Sequence, residues 1–193
     1  MTYPATYELE APLQVARWRP LVHWLMAIPH FVVLYVLMLV GGIVGLISWL
    51  AIIFTGKLPT GLGNFTAMYL RYSARAGTFM AFLHEEYPPF TFDMQASEPG
   101  GTPLMVDFDI AWDGRNRLTV LLRIIVAIPA FIFSGVIMFA AEIVMFIAFF
   151  AVLITGAWPQ GMRDFVVKAM RLGNRVNAYA MLLTDEYPPF SLD

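Results

Sequence analysis

Cysteine is absent from this chain of 193 residues, which excludes disulfides, thiolate metal ligands and a cysteine nucleophile. Charge is scarce too: Asp, Glu, Lys and Arg make up 13% of residues, about half the share in a soluble domain. The 12 basic and 14 acidic residues give a net charge of −2, so there is no basic field for a nucleic acid. The sequence also lacks a Gly-rich phosphate loop, a Gly-x-Ser-x-Gly elbow and a His-Glu-x-x-His pair. What fills the chain is apolar, at 59% of residues with 15% aromatic. That excludes a disordered chain and argues against a water-soluble globule. Met1 to Pro12 carries Glu8 and Glu10 and no basic region ahead of an apolar core, so no signal peptide is expected.

The second half copies the first at a constant offset of 100. Ala27-Ile28-Pro29 matches Ala127-Ile128-Pro129, Thr55-Gly56 matches Thr155-Gly156, and Arg71 and Arg75 match Arg171 and Arg175. Glu86-Tyr87-Pro88-Pro89-Phe90 matches Glu186-Tyr187-Pro188-Pro189-Phe190, and 26 of 77 positions agree between 17–93 and 117–193 without a gap. This is a tandem duplication. The first unit covers 1–93 and the second 106–193. Residues 94–105, with two prolines and a Gly pair, read as a linker.

Residues 20–56 and 124–162 contain no Lys or Arg. One helix over 20–56 would run roughly 55 Å, while the hydrocarbon core is only about 30 Å thick. Two shorter crossings fit better, so the expectation is a transmembrane hairpin over 20–56, turning near Gly41-Gly42. Its copy covers 124–156, with the turn near Ala141-Glu142. Pro29 and Pro129 are expected to kink or start the first helix of each pair. The alternative is one long, tilted span per unit beginning at Pro29, which would divide the twelve basic residues between both sides. The hairpin instead puts them all on one side, as the positive-inside rule favours. Fold class is then an all-α, multi-pass membrane protein of two parallel repeats in a bacterial inner membrane, with both termini cytoplasmic.

Beyond each hairpin, Leu62, Phe65, Tyr69, Tyr72, Ala76, Phe79 and Leu83 recur at alternating steps of three and four. This predicts an amphipathic helix over 61–84, with its copy over 161–184, lying along the cytoplasmic interface. The alternating runs at Tyr7–Glu10 and Val106–Ile110 read as short strands. Each is expected to pair with the extended tail after its own unit's Tyr-Pro-Pro-Phe, making a small sheet.

Ala-Ile-Pro opening the apolar stretch, Thr-Gly-x-x-Pro-x-Gly-x-x-x-Phe after it, Arg-x-x-x-Arg, and the closing acidic Tyr-Pro-Pro-Phe form one pattern. It resembles the bacterial membrane-domain family catalogued as domain of unknown function 4389. The resemblance covers both units, and the second copy is closer to the pattern. It implies a membrane protein and carries no activity, cofactor or catalytic residue.

Among candidate sites, Arg71, Arg75, Lys168, Arg171 and Arg175 form rows suited to anionic head groups, each worth about 1 kcal/mol near an anionic leaflet. Their simpler role is a solvated face or an ion-pairing one. Glu142 is the one acid inside either apolar segment. It reads as an ion path or a partner contact if buried in the membrane, and as a hydrated turn if the hairpin forms there. His23 and His30 fall seven residues apart on one face, without the third ligand a metal needs. His84 stands beside Glu85 and Glu86, where acid–base work is conceivable but a solvated helix end is the plainer reading. The segments Tyr87, Pro88, Pro89, Phe90 and Tyr187, Pro188, Pro189, Phe190 offer polyproline docking or a simple chain turn. Gly41, Gly42 and Gly45 would permit close helix contact, and Trp18, Trp24, Trp49 and Trp158 read as interfacial anchors. No catalytic residue, cofactor or metal site is expected. The leading expectation is a non-enzymatic small subunit or scaffold of a larger membrane complex, partnered by lipids and by other subunits or copies of itself. The alternative is a lipid- or small-solute-handling membrane protein.

Overall fold

A computed structural model describes residues 3–95, 98 and 100–192. Ala96, Ser97 and Pro99 of the expected linker, and Asp193 of the second tail, lie outside the described residues. The chain is mostly helical. Each unit consists of a short helix (α1, Arg19–Met26; α4, Arg117–Leu121), a long apolar helix (α2, Ile28–Thr55; α5, Arg123–Thr155) and a third helix (α3, Thr60–Met80; α6, Gln160–Ala180).

The long helices overturn the expected hairpin. α2 runs unbroken through Gly41-Gly42 and α5 through Ala141-Glu142. In the first unit the start of the apolar stretch is a separate element: the chain breaks at Ala27, so α2 is 28 residues, roughly 42 Å. In the second, α5 runs through the whole stretch as one helix of 33 residues, roughly 50 Å. Either is long enough to cross about 30 Å of hydrocarbon with some tilt. A glycine costs a helix only about 1 kcal/mol relative to alanine. A turn at Gly41-Gly42 would instead leave helix-terminal N–H and C=O groups unsatisfied among apolar side chains, which is dearer. Pro29 sits in the first turn of α2, as a helix-starting proline should, whereas Pro129 lies inside α5.

The doubling back occurs one element later. α3 returns antiparallel along α2: Tyr69 touches Gly41, the Tyr72 hydroxyl lies 2.7 Å from His30 Nδ1, and Phe79 stacks on His23 at 4.2 Å. α6 returns along α5 likewise, with Val166 and Ala169 packed among Ala141, Ala148 and Val152. The Thr-Gly motif makes this return possible. Thr55 and Thr155 hydroxyls donate to the carbonyls of Ala51 and Ala151, while Gly56 and Gly156 close the helices at φ 73° and 75°. A left-handed residue there is nearly free only for glycine.

α3 and α6 touch at the centre and are covered by the chain ahead of each unit. Here the expected pairing is also corrected. β1 (Glu8–Leu9) pairs antiparallel with β2 (Leu104–Met105), Glu8 opposite Met105 and Leu9 opposite Leu104, with a further bridge from Ala5 to Phe108. The strands therefore join the two units to each other, because equivalent residues near 6–7 and 106–107 meet across a pseudo-twofold axis. Leu104 and Met105, placed in the linker by composition, belong to this sheet. Tyr7, Val106, Phe108 and Ile110 are buried against α3 and α6.

A second exchange reinforces the first. Val15 N donates to Gly156 O at 3.0 Å and Arg115 N to Gly56 O at 3.2 Å, so each unit's lead-in seals the end of the other unit's long helix. Trp158 N to Leu13 O and Leu58 N to Trp112 O repeat the arrangement. Gly63 lies against this seam: a Cβ there would meet Trp112 at 2.6 Å and Leu58 at 3.0 Å. Gly63→Ala is expected to cost about 1–3 kcal/mol by overpacking, seen as a lower thermal midpoint. Gly61→Ala, with nothing within 4 Å of the new carbon, is expected to leave the midpoint unchanged or raise it.

The third helices end earlier than expected, at Met80 and Ala180 rather than 84 and 184. Phe82 (φ 46°) and Leu182 (φ 69°) turn left-handed, and Leu83 N and Leu183 N bond back to Thr78 O and Ala178 O. This is the six-to-one bond that terminates helices, made here without glycine.

Candidate ligand-binding grooves

The third helices do not lie on an interface with their arginines outward. The strand layer sits on the face opposite the aromatic stripe, so Arg71 and Arg75 are 0% and 2% exposed. Arg71 Nε donates to Val106 O at 3.0 Å and Nη1 to Gln95 O at 2.7 Å, while Arg75 Nη1 donates to the Thr91 hydroxyl. The Glu98 carboxylate lies 3.9 Å from Arg75 with a fully buried side chain. Burial pushes the Glu98 carboxyl up, against the pull of Arg75 and Arg71. In the second unit Arg171 Nε donates to Tyr7 O at 3.0 Å, and the Arg175 guanidinium faces the Tyr3 ring at 5.7 Å. Arg171, Arg175 and Lys168 are half-buried. The rows thus serve largely to hold the strand layer, and Arg71 and Arg75 have no surface for a head group.

The acid before each Tyr-Pro-Pro-Phe ties a unit's end to its own beginning. Glu85 accepts from Ala16 N, and Asp185 from Asn116 N. Asp185 also accepts from Arg115 Nη2 at 2.7 Å and from Arg123, whose guanidinium lies 4.0 Å from the Tyr179 ring centre. Composition and spacing gave no sign of this clamp, although the 85/185 match in the repeat was available. The Tyr-Pro-Pro-Phe segments fold inward: Phe90 stacks on His30 at 4.4 Å, Phe190 meets Phe133 edge-on, and Pro88 and Pro188 are buried. Tyr87, Phe90 and Phe190 nevertheless keep 40–54% of their surface exposed. His23 and His30 bond separately to α3, through Phe79 O and Tyr72. Among the described residues no three His, Asp or Glu side chains gather as metal ligands. His84 is buried, not solvated, with Nε2 at 3.3 Å from the Thr78 hydroxyl. Trp18 and Trp24 are exposed as anchors would be. Trp158 is instead buried on Phe82, and Trp49 bonds internally to Val120 O.

Two grooves stand out among the described residues. One, of about 760 Å³, lies between α5, α3 and α6; the other, of about 680 Å³, is bounded by α2, Tyr69 of α3 and the end of α6. They lie at equivalent places and have one wall in common, from each unit's long helix. Met138, Glu142, Met145, Phe146 and Phe149 of the first stand where Met38, Gly42, Gly45, Leu46 and Trp49 stand in the second. Each is closed by the turn after the other unit's third helix, Met80–Phe82 or Ala180–Leu182. Residues 41–50 and 141–150 share one burial pattern position by position, so along this wall the difference between the grooves is chemical. Glu142 opens onto the first, with Ser73, Asn174 and Asn177 on its other walls; Arg123 edges the second. Sequence reading compared Glu142 with Gly42 but not the groove around them, because its third wall comes from the other unit.

Residues 17–91 and 117–191 each match the family model described as a domain of unknown function, DUF4389. The chain belongs to the DUF4389 family. It holds two tandem DUF4389 copies, and the matches begin at Arg17 and Arg117, after the strands that join the copies. The grooves are therefore walled by both DUF4389 copies at once. No curated protein and no solved structure matches the chain.

Proposed function

We propose that the chain is a non-catalytic integral membrane protein whose two grooves hold apolar, lipid-like molecules. The observation that carries this reading is the presence of a groove at equivalent places in both copies, each within the range of volumes ligand pockets occupy. Membrane residence is supported by α2 and α5, which are long and apolar enough to span a bilayer and are only 11% and 17% buried over their most apolar windows. Side chains such as Ile124, Phe54 and Ile154 stand 72–80% exposed. Leaving such a side chain in water forgoes about 1.5–3 kcal/mol each, which lipid restores. The bacterial inner membrane remains the compartment this reading assigns.

Extraction of the protein purified in mild detergent is expected to yield up to two apolar molecules per chain. Gly135→Phe and Gly45→Phe, each placing a ring where no atom lies within 4 Å of the new Cβ, are expected to remove one each. Identical lipid content in both variants and the parent overturns the reading. A second reading, a small subunit of a larger complex or a homo-oligomer, is favoured by the same exposed helices. The mass of that preparation decides it, since a stable monomer would remove it.

A further inference from the structure

Glu142 was expected at a hydrated turn, and no turn exists there. α5 continues thirteen residues beyond it to Thr155, roughly 20 Å at 1.5 Å per residue. No interface therefore explains it as cheap. It is the one acid in a stretch, 124–162, that contains no Lys or Arg, and no salt bridge among the described residues uses it. An ionisable group at such a depth faces a cavity or a partner of opposite charge. Glu142 lines the larger groove, with Phe146 one turn and Phe149 two turns further along α5 and Phe82 on the wall from the first unit. Phenyl faces attract cations, by about 0.5–1 kcal/mol each when exposed and about 2 when desolvated. In the smaller groove Gly42 replaces the carboxylate, and Arg123 on its lining is already paired with Asp185, so the same recognition is missing there.

From this, resting on the groove reading above, we infer that the larger groove selects an amphiphile with a positively charged ammonium head and an apolar tail. The carboxylate of Glu142 and the phenyl rings receive the head, and Met138, Met145 and Met170 line the path of the tail, where methionine adapts to irregular shapes. The two copies then differ in ligand, one groove taking cations and the other neutral chains.

The test uses the full chain in a non-ionic polyoxyethylene detergent and native mass spectrometry. The probes are dodecyltrimethylammonium, dodecanol and dodecyl sulfate, which share a tail. The cation is expected to bind at least tenfold more tightly than dodecanol, with dodecyl sulfate weakest. Glu142→Gln should bring the cation down to the dodecanol level. Gly135→Phe should abolish cation binding, and Gly45→Phe should leave it intact. A second arm compares phosphatidylethanolamine with phosphatidylglycerol of the same chains. Glu142-dependent retention of the former assigns the head to a lipid; uptake of the free cation alone assigns it to a soluble amphiphile. An unchanged cation preference in Glu142→Gln, or equal affinity for dodecanol and the cation in the parent, overturns the inference while leaving the grooves standing. If no probe binds and neither filling variant alters binding, the groove reading itself falls.

Discussion

Asp185→Ala is expected to lose about 3–5 kcal/mol of stability, the usual consequence of removing one partner from a buried charge cluster. Arg115 and Arg123 have side chains 1% and 2% exposed, and Asp185 is the carboxylate both contact. Their remaining bonds, from Arg115 Nη1 to Ala111 O and Leu182 O and from Arg123 Nη1 to Thr184 O, supply no negative charge. Asp185→Asn keeps the shape and should fall between the two. Glu85→Ala should cost less, because Arg19 and Glu85 are 18% and 41% exposed at 3.5 Å and water can replace the pair. Adding Arg123→Met to Asp185→Ala should recover part of the loss, since an apolar replacement leaves no stranded charge. Equilibrium denaturation followed by circular dichroism reads all four; equal losses for Asp185→Ala and Glu85→Ala would refute the clamp. Burial alone would raise the Asp185 carboxyl, but the Arg115 bond and charge, the Asn116 amide and Arg123 outweigh it and hold it below its ordinary value. Its contribution is therefore complete above about pH 4 and fades only as pH drops through that lowered value.

Acid should act earlier, through a different residue. Burial pushes the His84 ring down to about 4, with the charges of His23 and Arg163 acting the same way and only the Glu86 backbone opposing. In the unfolded chain the ring titrates near 6.5. Between those values the unfolded state holds a proton that the folded state does not. Stability is then full above pH 6.5 and declines by about 1.4 kcal/mol per pH unit below it, reaching a deficit of about 3 kcal/mol at pH 4. Burial lowers His23 as well, which adds in the same direction. His84→Thr, the residue the second copy carries at 184, should flatten this slope while leaving stability at pH 8 nearly unchanged. Parallel pH profiles for the two proteins would show that the ring is not the cause.

What could be read in advance followed from local order. The duplication and the two apolar stretches depend on neighbours in sequence, and both appear. Of the two alternating runs, the first holds a strand at Glu8–Leu9, while the second strand falls at Leu104–Met105, just ahead of its run. The hairpin failed because apolarity marks a stretch without marking where one helix stops. Pro29 does mark the break after Ala27, but charge placement weighs against the single span that begins there. Arg71 and Arg75 looked like surface residues because their partners, Val106 O and Gln95 O, are backbone atoms, which no side-chain pattern reveals. The groove beside Glu142 takes walls from α3, α5 and α6 together. Only the assembled units create it, although Glu142 itself stood out as a lone charge.

The exchange of lead-in segments has a consequence for how the chain comes into being. During synthesis the earlier copy, which ends at residue 93, is translated before the piece that seals its long helix, Arg115 on Gly56. It must stand unfinished until its twin arrives. A solitary copy would find its missing part only in a second molecule, so this polypeptide is in effect a dimer whose subunits were fused end to end.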